Sequence, residues 1–407
     1  MMVMDETLLL DSFSASGDDL KDLEYAIQKI EECTSFQKES SERLQVLSIF
    51  ATDDEKIYCY KLDPGQPSND IISYLQSGRA LLRKDNFRKK GSFEDIIEEA
   101  VSTTRLMLSN GKHVYFTSSH VTSTMDAFGL KGAFLNTPCI ERDLVIAKQF
   151  QEDRECTLVV RSVNGVKKVF AILGSNYGVF PQSVLLDLIH AIETRCNVGS
   201  IKCRSWNITN FMSSVFIEFP DIGAQFQTAY GLSEEFVPGI WLATSDTGDS
   251  SFKIRGTWRV DNSVFYNHEI KRRHTGEMSM DDTLEEIEET IIQKYQEFIE
   301  KVCGLRTSIV TKAAHTKQEQ NQNAKNIESV IKSCFKQLKM TGAIGKKASC
   351  SILKNLADGF NNMTSYTAYD VAVGIMKIPQ QVGDLNVYAM EELQKTINKA
   401  PYINYGC

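Results

Sequence analysis

"SFKIRGTWRVDNSVFYNHEIKRRHTGEMSMDDTLEEIEETI", residues 251–291, contains the change of period on which the fold turns. Its first half reads as extended strand. Ser279 followed by Asp282 then matches a capping box, and Leu284, Ile287, Ile291, Tyr295, Phe298, Ile299 and Val302 recur at helical spacing. Gly304 stands where a C-terminal cap belongs. The acids Asp281, Asp282, Glu285, Glu286, Glu288 and Glu289 crowd the first turns, where the helix dipole favours negative charge, so the acid run reads as a solvated helix start.

Working outward, "TLVVRSV", Asn164-Gly165 and "KKVFAILG" form a hairpin pattern, because Asn-Gly suits a type I′ turn between β-rich runs. Pro181 opens a helix with Val184, Leu185, Leu188, Ile189 and Ile192 on one face. Strands are expected at 199–206, 211–219, 239–244 and 251–266, with the polar loop "TSDTGDSS" (244–251) between the last two. Near the start, Ser16 and Asp19 resemble a capping box for a helix over about 18–33. A second helix is expected from Ser92 through Leu108, stopping before Gly111. The stretch 61–70 is turn chemistry, and 315–326 is polar and unlike a core. The segments "TSYTAYDVAVGIMK" and "VYAMEELQKTI" look helical. Strands and helices mix without βαβ alternation, so the fold class is α+β: a central, mostly antiparallel sheet flanked by helices, with a helical C-terminal region.

The 407 residues, 42% hydrophobic and 24% charged, suit an ordinary globular protein of two or three domains. The expected divisions are a helical or irregular region at 1–90, an α+β core at 91–305, and a basic then helical region at 306–407. The ten cysteines show no CxxC spacing, which argues for free thiols in a reducing cytosol and against a zinc site. "MMVMDETLLLDSF" lacks the basic start of a signal peptide, and no apolar run reaches eighteen residues, so neither secretion nor a membrane span is expected. The expected location is the cytoplasm.

The formal charge of −8 is unevenly spread. Residues 301–360 hold eleven Lys or Arg against Glu319, Glu328 and Asp358, a local +8, leaving −16 on the other 347 residues. Two further basic clusters stand out. Lys271, Arg272 and Arg273 can grip phosphates while His274 donates a hydrogen bond; a charge-guarded strand edge is the competing account. "RALLRKDNFRKKG" (79–91) offers Arg79, Arg83, Arg88, Lys89 and Lys90 with Phe87 as a stacking residue, against the plainer reading of an exposed basic linker.

Enzyme motifs are weak. His268, Glu269 and His274 have the wrong spacing for a zinc-protease helix. Gly174-Ser175 followed by Asp187 is loosely like a nucleotidyltransferase start, but that chemistry needs a second nearby carboxylate. Asp246 and Asp249 can contact a cation, or simply serve a turn. There is no P-loop, GxGxxG or GxSxG. No catalytic residue, metal ligand or cofactor is therefore assigned.

The segments "FAILGSNYGVFPQSVLLDLIHAI" (170–192), "PGIWLATSDTGDSSFKIRGTWRVDNSVFY" (238–266) and "RRHTG" (272–276) resemble the phage/plasmid-like family, a domain of unknown function numbered 932. Asp261-Asn262 stands where that family often has Cys-Asn. A Thr…Tyr-Asp pattern at 364–373 is also similar. The resemblance implies a mobile-element origin and supplies no catalytic residues. Together with the basic clusters it leads to the expectation of a non-enzymatic, nucleic-acid-associated binding protein (single-strand handling, recombination or replication support). The alternatives are a phage counter-defence protein that binds a host immune complex, and a magnesium-dependent nucleotidyltransferase-like enzyme. A homo-oligomer is compatible, since the tail helices can pack on their own core or on another subunit.

Overall fold

The computed structural model describes residues 7–51, 57–61, 81–82, 106–118, 122–130, 140–163, 166–248, 250–274, 279–311, 314–360, 365–382, 385 and 387–406. The chain runs β1 (Ser14–Gly17), α1 (Leu20–Cys33), β2 (Thr34–Ser40), β3 (Gln45–Ala51), β4 (Ile57–Lys61), β5 (Leu81–Leu82), β6 (Leu106–Ser109) and β7 (Val114–Thr117). Next come α2 (Thr122–Ala127), α3 (Ile140–Phe150), β8 (Glu155–Val163), β9 (Val166–Gly174), α4 (Val184–Arg195), β10 (Lys202–Thr209), β11 (Ser213–Glu218) and α5 (Pro220–Tyr230). The strands β12 (Phe236–Thr244), β13 (Phe252–Val260) and β14 (Ser263–Arg272) lead into α6 (Met280–Ile287), a π turn (Glu288–Ile292) and α7 (Gln293–Gly304). The remainder is β15 (Ile309–Thr311), α8 (Lys317–Gln337), α9 (Met340–Ile344), α10 (Lys346–Gly359), β16 (Tyr366–Thr367), α11 (Ala368–Met376) and α12 (Val387–Ile397).

The architecture is α+β. One sheet is wholly antiparallel in the order β1-β10-β11-β12-β13-β14. The other, β2-β8-β9-β7-β6-β3-β4-β5, is antiparallel except where β7 meets β9. The helix after β14 follows the apolar stripe: Leu284, Ile287, Ile291, Tyr295, Phe298, Ile299 and Val302 are all buried. Ser279 caps it, its side chain accepting from Asp282 N. The helix passes so close to the sheet that a Cβ on Gly256 would stand 2.8 Å from Ile291 Cγ2.

One apolar core runs from Leu8 and Leu9 through α1, α4 and the first sheet to Ile397 and Tyr405. The tail helices therefore pack on their own chain, with Val371, Ala372, Ile375 and Met376 of α11 inside that core. A second core, including Val46, Leu108, Leu158 and Ile172, lies between the other sheet and α3. Among the described residues no helix is long and apolar enough to cross a membrane.

Several local expectations change. The span 251–266 is two strands, because Asp261 takes a left-handed φ of 51° and turns the chain so that Val260 pairs with Ser263. Asp261 thus serves the two-residue turn that favours Asn, Asp or Gly. Leu108 belongs to β6, and the start of the expected helix at Ser92 lies outside the described residues, as do Asn164-Gly165 and residues 62–70. Asp19, accepting from Lys21 N at 2.7 Å, is itself the cap of α1. The helix after Pro181 begins at Val184. Gly304 is right-handed (φ −59°) and leads into a 3-10 turn. The polar stretch 315–326 enters a helix whose reciprocal Thr316–Glu319 capping box compensates for its lack of apolar residues. Helix α5 was not anticipated: it follows Pro220 and ends at left-handed Gly231.

Candidate functional site

Gly174, Tyr177, Gly248 and His274, from three of the quoted segments, meet at one cleft of about 650 Å³. The end of β9, the β12–β13 loop and the end of β14 line it together with Ser123, Asp126 and Phe128 of the α2 region. Gly178 N donates to His274 O at 2.7 Å, fixing the strand end. The imidazole is stacked on Tyr177, with centroids 4.9 Å apart and a 7° interplanar angle, and lies 4.6 Å from Phe180 on a tilt. Gly248 (φ 83°) closes over the same corner: a Cβ there would be 3.0 Å from Leu173 Cδ2 and 3.5 Å from Tyr177 Cε2.

The groups lining this cleft are poorly set for catalysis. His274 is 5% exposed, and among the described residues neither ring nitrogen has a hydrogen-bond partner. Burial pushes its pKa below the usual histidine value, against the pull of the Gly178 and Ser250 carbonyls and Asp246. The Cys156 thiol is pushed up to about 11 by burial, with Glu39 adding to the effect, so it stays protonated at neutral pH. Arg154 is ion-paired to Glu152 and lies over the Phe128 ring. With Asp126 and Glu155 also present, the cleft is of mixed charge and does not favour a polyanion.

Beneath it, Asp246 is not a cation ligand in waiting. Its carboxylate accepts from Arg161 Nη2 at 3.2 and 3.1 Å, and Arg161 also reaches Asn210, Thr34 Oγ1 (3.3 Å) and the Phe170 ring (4.6 Å). The loop 244–247 is buried for this reason, although its composition is that of a surface turn. Asp249 lies outside the described residues. Asp187 is exposed in the first turn of α4, and His268 is exposed while His274 is buried. Among the described residues no group of three His, Cys, Asp or Glu side chains is arranged to hold a metal.

The basic residues at 271–273 are largely paired with acids. Lys271 pairs with Glu269 at 2.6 Å and Arg272 pairs with Glu286. Glu269 also engages Arg255, whose guanidinium lies over Trp241 and Tyr266 and pairs with Glu391 at 2.7 Å. This edge of β14 is thus largely self-neutralised, and only Arg273 projects as an exposed cation without an ion pair among the described residues. Arg79, Arg83, Phe87, Arg88, Lys89 and Lys90 lie outside the described residues.

Helices α8 to α10 differ. Lys317, Lys325, Lys332, Lys336, Lys339, Lys346, Lys347 and Lys354 are all exposed. Against these eight stand Glu319, Glu328 and Asp358, a net +5 for 317–359. Glu319 is turned back into its capping box, accepting from His315 N and Thr316 N at 2.7 and 2.9 Å, and these bonds lower its pKa. Glu328 pairs with Lys332 at 2.5 Å. Lys325, Lys332 and Lys336 are spaced i, i+7, i+11, which keeps them within about 40° of one another around the helix and spreads them over roughly 16 Å. The apolar residues of α8, Ile327, Ile331, Cys334 and Phe335, are turned into the core.

The sequence reported the charge of this region but not its helical display. Ser123, Asp126 and Arg154 of the cleft were missed, because nothing in their local spacing marks them. Comparison with protein-family models, curated proteins and solved structures finds no match.

Proposed function

We propose that the protein is a non-enzymatic nucleic-acid-binding protein that meets phosphates with the lysine face of α8–α10. The observation that carries this reading is the display of eight exposed lysines, four on α8, three on α10 and Lys339 in the turn between α8 and α9, in an otherwise acidic chain. Like-charged ammonium groups at this density repel one another, and a polyanion relieves that repulsion while releasing its own counterions. A membrane surface is a poorer fit, because the apolar side of α8 is already buried in the core and none is left to enter lipid. The phage or plasmid setting, and with it a host cytoplasm, is what the motif resemblance implies; single-strand handling, recombination or replication support are its natural roles.

Fluorescence anisotropy of a labelled 20-nucleotide single strand and its duplex, titrated at low and moderate salt, tests the proposal. Binding that weakens steeply with salt supports it. No binding at low salt, or binding to anionic phospholipid vesicles alone, overturns it.

A further inference from the structure

Beside the lysine stripe the chain folds residues 400–406 back onto α8. Gln337 and Asn404 hold the two together with a pair of bonds: Gln337 Nε2 donates to Asn404 O at 2.6 Å, and Asn404 N donates to Gln337 Oε1 at 3.0 Å. Tyr405 anchors the segment, buried and donating its hydroxyl to Ala400 O at 2.6 Å. Ser333, Lys336, Gln337, Asn404 and Gly406 line a shallow, open depression of about 490 Å³. Tyr402, two residues before Asn404, is 56% exposed, its ring centroid 6.5 Å from that of buried Phe298. Few large apolar side chains are as exposed among the described residues; Tyr402 N donates to the carbonyl of exposed Lys399 at 3.0 Å, and exposed Lys336 adjoins Gln337, which holds Asn404 two residues further on. Lys336 makes no ion pair among the described residues. Glu297, whose charge acts on the Tyr402 hydroxyl, is paired with Lys294 at 2.5 Å.

We infer that this corner is a nucleotide subsite for single-stranded nucleic acid, with Lys336 and the Ser333 hydroxyl taking a phosphate and Tyr402 stacking an unpaired base. An exposed aromatic ring beside cations is the arrangement by which proteins hold single strands: the cations follow the backbone and the ring accepts any base through its π-face. A duplex hides its base faces and gains only the charge term. The inference rests on the lysine-face reading and adds to it a preference for strand form.

The test uses labelled oligothymidine of 20 nucleotides and a 20-base-pair duplex, titrated with the full chain carrying Tyr402→Ala, Tyr402→Phe or Lys336→Ala. Tyr402→Ala is expected to weaken single-strand binding roughly ten-fold and leave duplex binding unchanged. Tyr402→Phe should keep the single-strand affinity, and Lys336→Ala should weaken both forms. If Tyr402→Ala binds the single strand as tightly as the unaltered protein, the subsite is wrong while the lysine face stands. If the unaltered protein binds neither probe at low salt, both fall together.

Discussion

Arg161 and Asp246 meet between the two sheets, Nη2 to Oδ2 3.1 Å, with both side chains almost wholly out of water. One comes from the middle of a sheet strand and the other from a hairpin loop of the other sheet, so their pairing sets how the sheets sit together. Breaking such a pair from one side leaves a buried charge without its partner. Asp246→Asn is therefore expected to cost about 3–5 kcal/mol in urea denaturation. The double variant Arg161→Met, Asp246→Leu should recover much of that loss, because it removes both charges. A double variant no more stable than Asp246→Asn alone would contradict this account.

Gly239 in β12 and Gly304 at the end of α7 should respond oppositely to alanine. At Gly239 a Cβ would stand 2.3 Å from Ile217 O, a backbone atom of the neighbouring strand, so Gly239→Ala should destabilise by about 3 kcal/mol. At Gly304 a Cβ would meet nothing among the described residues within 4 Å, and φ is −59°. Gly304→Ala should raise stability by about 0.4–1 kcal/mol through the unfolded chain. Thermal melts of both variants suffice to check the pair.

Stability should fall as the solution is acidified below neutrality, and His274 should be one source. Burial lowers its pKa in the folded state, so on acidification the unfolded chain takes up the proton first. The contribution is present above the ordinary histidine value of 6.5, declines as pH drops through it, and levels off below the folded-state pKa. The slope from one such group cannot exceed about 1.4 kcal/mol per pH unit. His268 shifts in the same direction, so the comparison needed is with His274→Phe, which retains a ring in the aromatic stack. Denaturant midpoints of that variant should vary less between pH 5 and 7.5 than those of the unaltered protein; parallel curves would remove His274 from the explanation.

Charge reversal on one stripe tests the lysine face. Lys325→Glu, Lys332→Glu and Lys336→Glu together should abolish measurable binding at moderate salt. Single Lys→Ala changes should each lower the slope of log K against log salt by about 0.7 for a single strand. Reversing Lys271 and Arg272 in the same way should have a smaller effect on binding, since both already face carboxylates.

The sequence was most legible where one helix or strand face does the packing. The stripe from Leu284 to Val302 and the 156–174 hairpin follow directly from period, as does the burial of Val184 to Ile192 in α4. It was least legible where a polar side chain is buried by a distant partner. Asp246 looks like a loop residue because Arg161, its partner, is 85 residues away. The basic stretch at 271–273 looks like a binding patch because Glu286 and Glu269, which offset it, are read as helix and strand decoration. Of the candidate site, the charge excess of 301–360 was visible, but Tyr402 was not: its exposure follows from how the chain at 400–406 lies against distant α7 and α8, which no local pattern announces.

The first strand has a consequence for how the molecule is made. Ser14 pairs with Thr209 and Gly17 with Trp206, so β1 closes the edge of a sheet whose other strands are synthesised much later. At ordinary translation rates of 5–20 residues per second, that partner leaves the ribosome roughly 10–40 s after β1 does. Throughout that interval Leu8, Leu9 and Phe13 lack the surroundings that bury them in the finished protein. A nascent chain of this design spends its early life with an adhesive leading segment, and holdase chaperones should bind it there until β10 arrives.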